Sequence, residues 1–208
     1  MSHETTLAEA IETIRAAAEQ MDHDDRFKLN FEEYPKLNED DLSEWEAWLQ
    51  KQPGLGTYRI PNDIRMVYSV SGGFLFQWQY LAAKPHVVSG SAELVTILSL
   101  YQRDDEAGKP VSAIYDSPRP FDVISDDEYV GIEFSQEGKI VLVHIDDAEK
   151  TKVALALNPV QYLCSLAEYR AIYGWQALFV SEKKNSPANS QSLRNQVKQL
   201  FGNKGLIP

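Results

Sequence analysis

The segment Ile60-Pro61-Asn62-Asp63-Ile64-Arg65-Met66-Val67-Tyr68-Ser69-Val70-Ser71-Gly72-Gly73-Phe74-Leu75-Phe76-Gln77-Trp78-Gln79-Tyr80-Leu81 leaves the backbone few choices. Pro61 and Asn62 read as a helix start, with Asn62 accepting from the free N–H groups of the first turn and Asp63 facing the positive end of the helix dipole. Ile64, Val67, Tyr68 and Ser71 then share one face. Gly72-Gly73 is expected to end the helix through a left-handed residue. Beyond it, Phe74, Phe76, Trp78 and Tyr80 alternate with Leu75, Gln77, Gln79 and Leu81, the pattern of a half-buried antiparallel strand with one aromatic face.

The rest of the chain repeats this mixture of helices and strands. Thr6 and Glu9 have capping-box spacing, and Leu7, Ile11, Ile14, Ala18 and Met21 form one apolar stripe. A short strand is expected around Phe27 to Phe31, then a helix capped by Asn38 and carrying Leu42, Trp45, Trp48 and Leu49, ending near Pro53-Gly54. Val87 to Leu100 supplies a hairpin partner for the aromatic strand, although Glu93 to Tyr101 fits a helix equally well. Asp104 to Pro110 reads as an exposed loop, and Ser117-Pro118-Arg119-Pro120 as an irregular connection. Tyr129 to Phe134 and Lys139 to Ile145 flank the turn Ser135-Gln136-Glu137-Gly138, and Lys152 to Leu157 suggests a further strand. Asn158 and Pro159 open a last domain helix whose stripe, Val160, Leu163, Cys164 and Ala167, turns Cys164 toward the core. After Phe179 the composition becomes that of a linker, followed by an amphipathic tail bearing Leu193, Val197, Leu200 and Phe201.

This alternation predicts an α+β fold, one domain with an antiparallel sheet flanked by helices. The 208 residues divide into an acidic N-terminal helix (1–26), the domain proper (27–180), and a linker with a basic tail helix (181–208). The chain carries a net charge of −11, very unevenly spread. Residues 1–50 hold fourteen acids against four bases, whereas residues 181–208 hold one acid against five bases. A field of that sign repels nucleic-acid phosphates and anionic lipid and attracts a basic partner. With one cysteine, no signal-like segment and no apolar run of membrane length, the expected setting is cytoplasmic, away from membranes.

Chemistry is sparse. Asp22, Asp24, Asn30 and Glu33 match four positions of a calcium loop, but Arg26 and Phe27 stand where an oxygen ligand and the turn glycine belong. His3, His23, His86, His144 and Cys164 have no zinc spacing, so no metal or cofactor is expected. A Cys164 nucleophile paired with His86 or His144, or paired acids at Asp126-Asp127-Glu128 and Asp146-Asp147, would be needed for an enzyme. An inert core thiol and solvated turn charges account for the same residues, and no catalytic residue is assigned.

The order of Ile60-Pro61, helix, Ser71-Gly72-Gly73 and Trp78 strand, followed by Asn158-Pro159-Val160-Gln161-Tyr162-Leu163 and Gly174-Trp175-Gln176, resembles the SMI1/KNR4-like (SUKH) superfamily over residues 27 to 180. That resemblance implies a non-enzymatic binding domain, including bacterial immunity proteins that neutralise toxins, often nucleases. A basic protein partner fits the acidity, with Asp104, Asp105, Glu106, Asp126, Asp127 and Glu128 as expected contacts. The alternatives are a regulatory or scaffolding module with a non-toxin partner, and an uncharacterised hydrolase.

Overall fold

In the computed structural model, which describes residues 3–82, 88–102, 114–180 and 187–202, seven strands form one antiparallel sheet in chain order. They are β1 (Phe27–Glu33), β2 (Phe74–Tyr80), β3 (Val88–Leu94), β4 (Arg119–Val123), β5 (Glu128–Phe134), β6 (Ile140–Asp146) and β7 (Thr151–Ala154). The helices are α1 (His3–Asp22), α2 (Glu39–Gln50), α3 (Asn62–Val70), α4 (Ile97–Tyr101), α5 (Pro159–Tyr169) and α6 (Pro187–Phe201), with a 3-10 turn at Trp175–Phe179. The fold is α+β, with helices packed on the sheet. Among the described residues no helix is long and apolar enough to cross a membrane.

The aromatic face expected of β2 is the one the helices cover. Phe74, Phe76 and Trp78 are buried, cross-strand from Leu94, Ala92 and Gly90 of β3, while Gln77 and Glu93 on the opposite face are exposed. The ambiguous segment after β3 divides between both readings: β3 stops at Leu94, and Thr96 caps the short α4 by accepting from Ser99 N–H. Helix α5 opens as expected, with Pro159 in its first turn and a reciprocal capping box between Asn158 and Gln161.

Four local expectations are corrected. Asn62 is the first residue of α3 rather than its cap; Pro61 holds the cap position and no side chain caps the helix. Thr6 lies inside α1, so its capping-box spacing with Glu9 starts no helix. The Arg119-Pro120 pair belongs to β4, with Arg119 buried, because the bulge between Pro120 and Asp122 absorbs the proline without breaking the pairing to β5. The Gly72-Gly73 pair does not end α3 through a left-handed residue, since Ser71 is already extended at φ −149°. The glycines serve close packing: a Cβ on Gly72 would overlap the Pro35 carbonyl oxygen, and Gly73, at φ +124°, would press one against the Leu94 carbonyl.

The core reaches beyond residues 27–180 at both ends. Leu7, Ile11, Ile14, Ala18 and Met21 of α1 are all buried in it, as are Val197 and Phe201 of the tail helix. Phe201 stacks on Phe27 at 5.5 Å and meets Trp78 edge-on at 5.4 Å, and Arg194 Nε donates to Glu168 at 2.7 Å.

The meander opens between β3 and β4, which share the single register pair Leu94 and Asp122. The chain leaving α5 occupies the rest of that β3 edge. Arg170 and Ala171 both take φ +53°, turning the backbone so that Ser91 N–H donates to Ala171 O and Tyr173 N–H donates to Ser89 O, each at 3.0 Å.

Gly72→Ala tests the close-packing account. It is expected to cost about 2–3 kcal/mol of unfolding free energy in urea denaturation. Gly56→Ala, where an added Cβ meets nothing within 4 Å, is the control and should leave the midpoint nearly unchanged.

Candidate functional site

Of the expected contact residues, Asp104, Asp105 and Glu106 lie outside the described residues, and so does His86. Asp126 and Asp127 are exposed in the turn between β4 and β5. The sheet register sets Glu128 opposite Asp146, and Asp147 N–H donates to Asp127 O at 2.8 Å. Two acidic turns separated in sequence therefore share one end of the sheet, with Asp126, Asp127, Asp147 and Glu149 all open to solvent. Among the described residues no ion pair engages Asp126, Asp127, Asp146 or Asp147.

Glu128 corrects the expectation that all three acids of this turn are exposed. It is the first residue of β5 and alternates with Val130, Ile132 and Phe134 on the buried face, leaving only 9% of its surface exposed. Both carboxylate oxygens are occupied. Oε1 lies 2.7 Å from His144 Nε2 across the strand pair, and Oε2 accepts from the Tyr173 hydroxyl. The hydrogen bond to Glu128 pushes the Tyr173 phenol up to about 12. Period-two alternation through Glu128, Val130 and Ile132 was a readable sign that this acid turns inward. Nothing in the sequence marks Tyr173, which arrives through the chain reversal after α5.

Beneath this group, Asp122 is fully buried and joins the sheet to α5. Its carboxylate accepts from Tyr162 Oη at 2.6 Å and from Glu93 N–H at 2.7 Å. Burial pushes its pKa up to about 6 against the two donors, and the charges of Glu93 and Glu128 add to the rise.

Of the enzyme-type arrangements, the acids of the two turns do meet at the sheet end, whereas Cys164 and His144 each have other partners. Cys164 is half-buried, its Sγ 3.9 Å from the Thr6 carbonyl oxygen of α1, while the ring Nε2 of His144 is engaged by Glu128. Burial pushes the Cys164 thiol up, disfavouring the thiolate a nucleophile needs. In the former calcium-loop candidate, the Arg26 guanidinium holds Asp24 down at about 2, paired at 2.5 Å. Among the described residues no group of three or more His, Cys, Asp or Glu side chains is placed to hold a metal ion.

Because folding raises the Asp122 pKa from 3.8 to about 6, the folded state holds this proton more tightly than the unfolded chain. Its contribution to stability is fully present below pH 3.8 and is lost as pH rises through about 6. Asp122→Asn should therefore gain on the parent by on the order of 2 kcal/mol between pH 4 and pH 7, read from urea unfolding across that range. Parallel pH profiles for the two proteins would remove this role for Asp122.

No protein-family model, curated protein or solved structure matches this chain.

Proposed function

We propose that this chain is a non-catalytic binding domain that recognises a basic protein and occludes it. The carrying observation is the pairing of the two acidic turns at one end of the sheet, where Asp126, Asp127 and Asp147 stand exposed. Carboxylates so placed attract a cationic surface over roughly a Debye length, ~8 Å at physiological salt, and raise the encounter rate. The polar groups beneath them are saturated by one another. Glu128 uses both oxygens on His144 and Tyr173, and Asp122 uses both on Tyr162 and Glu93, which suits rigid support of a surface better than proton transfer to a substrate.

The resemblance of the Ile60–Leu81 block and the Asn158–Phe179 region to SMI1/KNR4-like proteins favours one form of this reading, an immunity protein acting in the cytoplasm on a basic toxin such as a nuclease. A nuclease must carry positive charge to hold phosphates, and an acidic partner is complementary to it.

The test is capture of partners from the native host on the tagged chain at low and moderate salt, followed by association kinetics with the captured protein. One basic protein is expected, and Asp126→Asn with Asp127→Asn should slow its association about ten-fold at low salt while flattening the salt dependence. Association unchanged by both substitutions and by salt would overturn the electrostatic basis. Rescue of cell growth by co-expression, when the captured protein alone is toxic, would separate immunity from a regulatory or scaffolding role.

A further inference from the structure

Helix α2 carries a second surface with its own chemistry. Trp45 and Trp48 are one helical turn apart and lie edge to face, ring centroids 5.3 Å apart at 82°. Both are half-buried, so each indole packs on the core and still reaches the surface. Together with Leu37, Asp41 and Glu44 they line a shallow groove enclosing about 340 Å³. Leu37 is anchored by donating its N–H to Tyr68 O at 2.9 Å, and the Asn38–Asp41 capping box holds the start of the helix. The groove is therefore built on fixed backbone.

Its charge is what singles out an occupant. Of the other acids of α2, Glu39 pairs with Arg65 at 2.6 Å and Glu46 binds Arg59 at 2.5 Å and Arg65 at 3.4 Å, while Asp40 sits in the first turn, where a carboxylate serves the helix dipole, and does not line the groove. Asp41 and Glu44 line the groove and enter no ion pair among the described residues. Asp41 gives one oxygen to Asn38 N–H, at 2.9 Å, and Glu44, exposed in the next turn, lies beyond the part of α2 where a carboxylate serves the helix dipole. Apolar rings with unpaired carboxylates at their margin suit a cation with a flat, weakly hydrated face. A guanidinium stacks on indole and takes a carboxylate through two N–H groups, whereas an ammonium keeps its water more tightly.

We propose that the groove formed by Leu37, Trp45 and Trp48 receives an arginine side chain of the basic partner, its guanidinium stacked on the indole pair and its charge met by Glu44 and Asp41. This rests on the reading of a basic protein partner and adds a second contact, on a helix, to the acidic turns at the sheet end.

The test is titration of the isotopically labelled chain with three short soluble peptides, identical except for a central arginine, citrulline or lysine, followed through the indole N–H signals. Trp78 and Trp175 are buried and serve as internal references. The arginine peptide should shift Trp45 and Trp48 saturably, with citrulline and lysine weaker by about two- to five-fold or more, and Glu44→Gln should weaken arginine binding about two- to five-fold. Glu44 is exposed, so its substitution leaves the packing intact. Equal binding of citrulline or lysine, no effect of Glu44→Gln, or shifts centred on Asp126 and Asp127 would overturn the proposal. The two readings fail separately: a captured basic protein lost on neutralising Asp126 and Asp127, with no peptide binding at the indoles, removes only the groove. Failure to capture any basic protein removes the partner reading, while the titration still decides the groove's preference for guanidinium.

Discussion

The hydrogen bond from Trp78 Nε1 to the Arg170 carbonyl, at 2.8 Å, holds together parts of the chain that are far apart in sequence. The indole leaves the aromatic face of β2, crosses above Gly90 of β3 and reaches the C-terminal end of α5, where a carbonyl needs a donor. A Cβ at position 90 would collide with the indole ring, so the glycine is part of the same contact. Once Arg170 is held there, its left-handed turn and that of Ala171 lay residues 171–173 along β3. Tyr173 is thereby delivered to Glu128, and Trp175 to its stack on Tyr169 and its tilted contact with Tyr162. Phe201 of the tail helix closes over the outer side of the same indole.

The carboxylates of this acidic protein divide by what the fold does with them. Glu33, Glu46 and Glu168 are tied to arginines, Glu128 and Asp122 are absorbed into buried hydrogen-bond groups, and Asp24 is held by Arg26. Of the acids without an ion pair among the described residues, some stand at the sheet end and two line the α2 groove, while others, such as Glu9, Glu19 and Asp25, are spread over α1 and the loop after it. Exposed ion pairs contribute little to stability, so acids left without partners at the surface act mainly on what approaches it. A buried carboxylate is different, since each of its oxygens needs a donor in the absence of water.

The strands, helices and their inward faces were largely legible, because amphipathic periodicity reports burial directly. The stripe of α1, the capped start of α5, the aromatic face of β2 and the β5–β6 hairpin lie where that periodicity places them. The errors fall where one local pattern serves two structures. Asn62 and Thr6 have capping chemistry, yet neither side chain caps because the helices begin one residue or several residues earlier than the pattern implies. Gly72-Gly73 looks like a helix stop, and its purpose is contact with Pro35 and Leu94, which no local pattern encodes. Glu128 reads as the third acid of an exposed turn, and one residue of strand alternation is enough to bury it.

By itself the sequence determined the α+β class, the buried faces and the acidic excess, since propensity, periodicity and net charge are properties of short segments and of composition. Tertiary structure alone decided which acids stay exposed, that the turns at Asp127 and Asp147 meet, that Tyr173 reaches Glu128, and that Trp45 and Trp48 border a groove rather than vanish into the core. Each of these depends on the distance between side chains remote along the chain, which is set by the sheet register and by the reversal after α5.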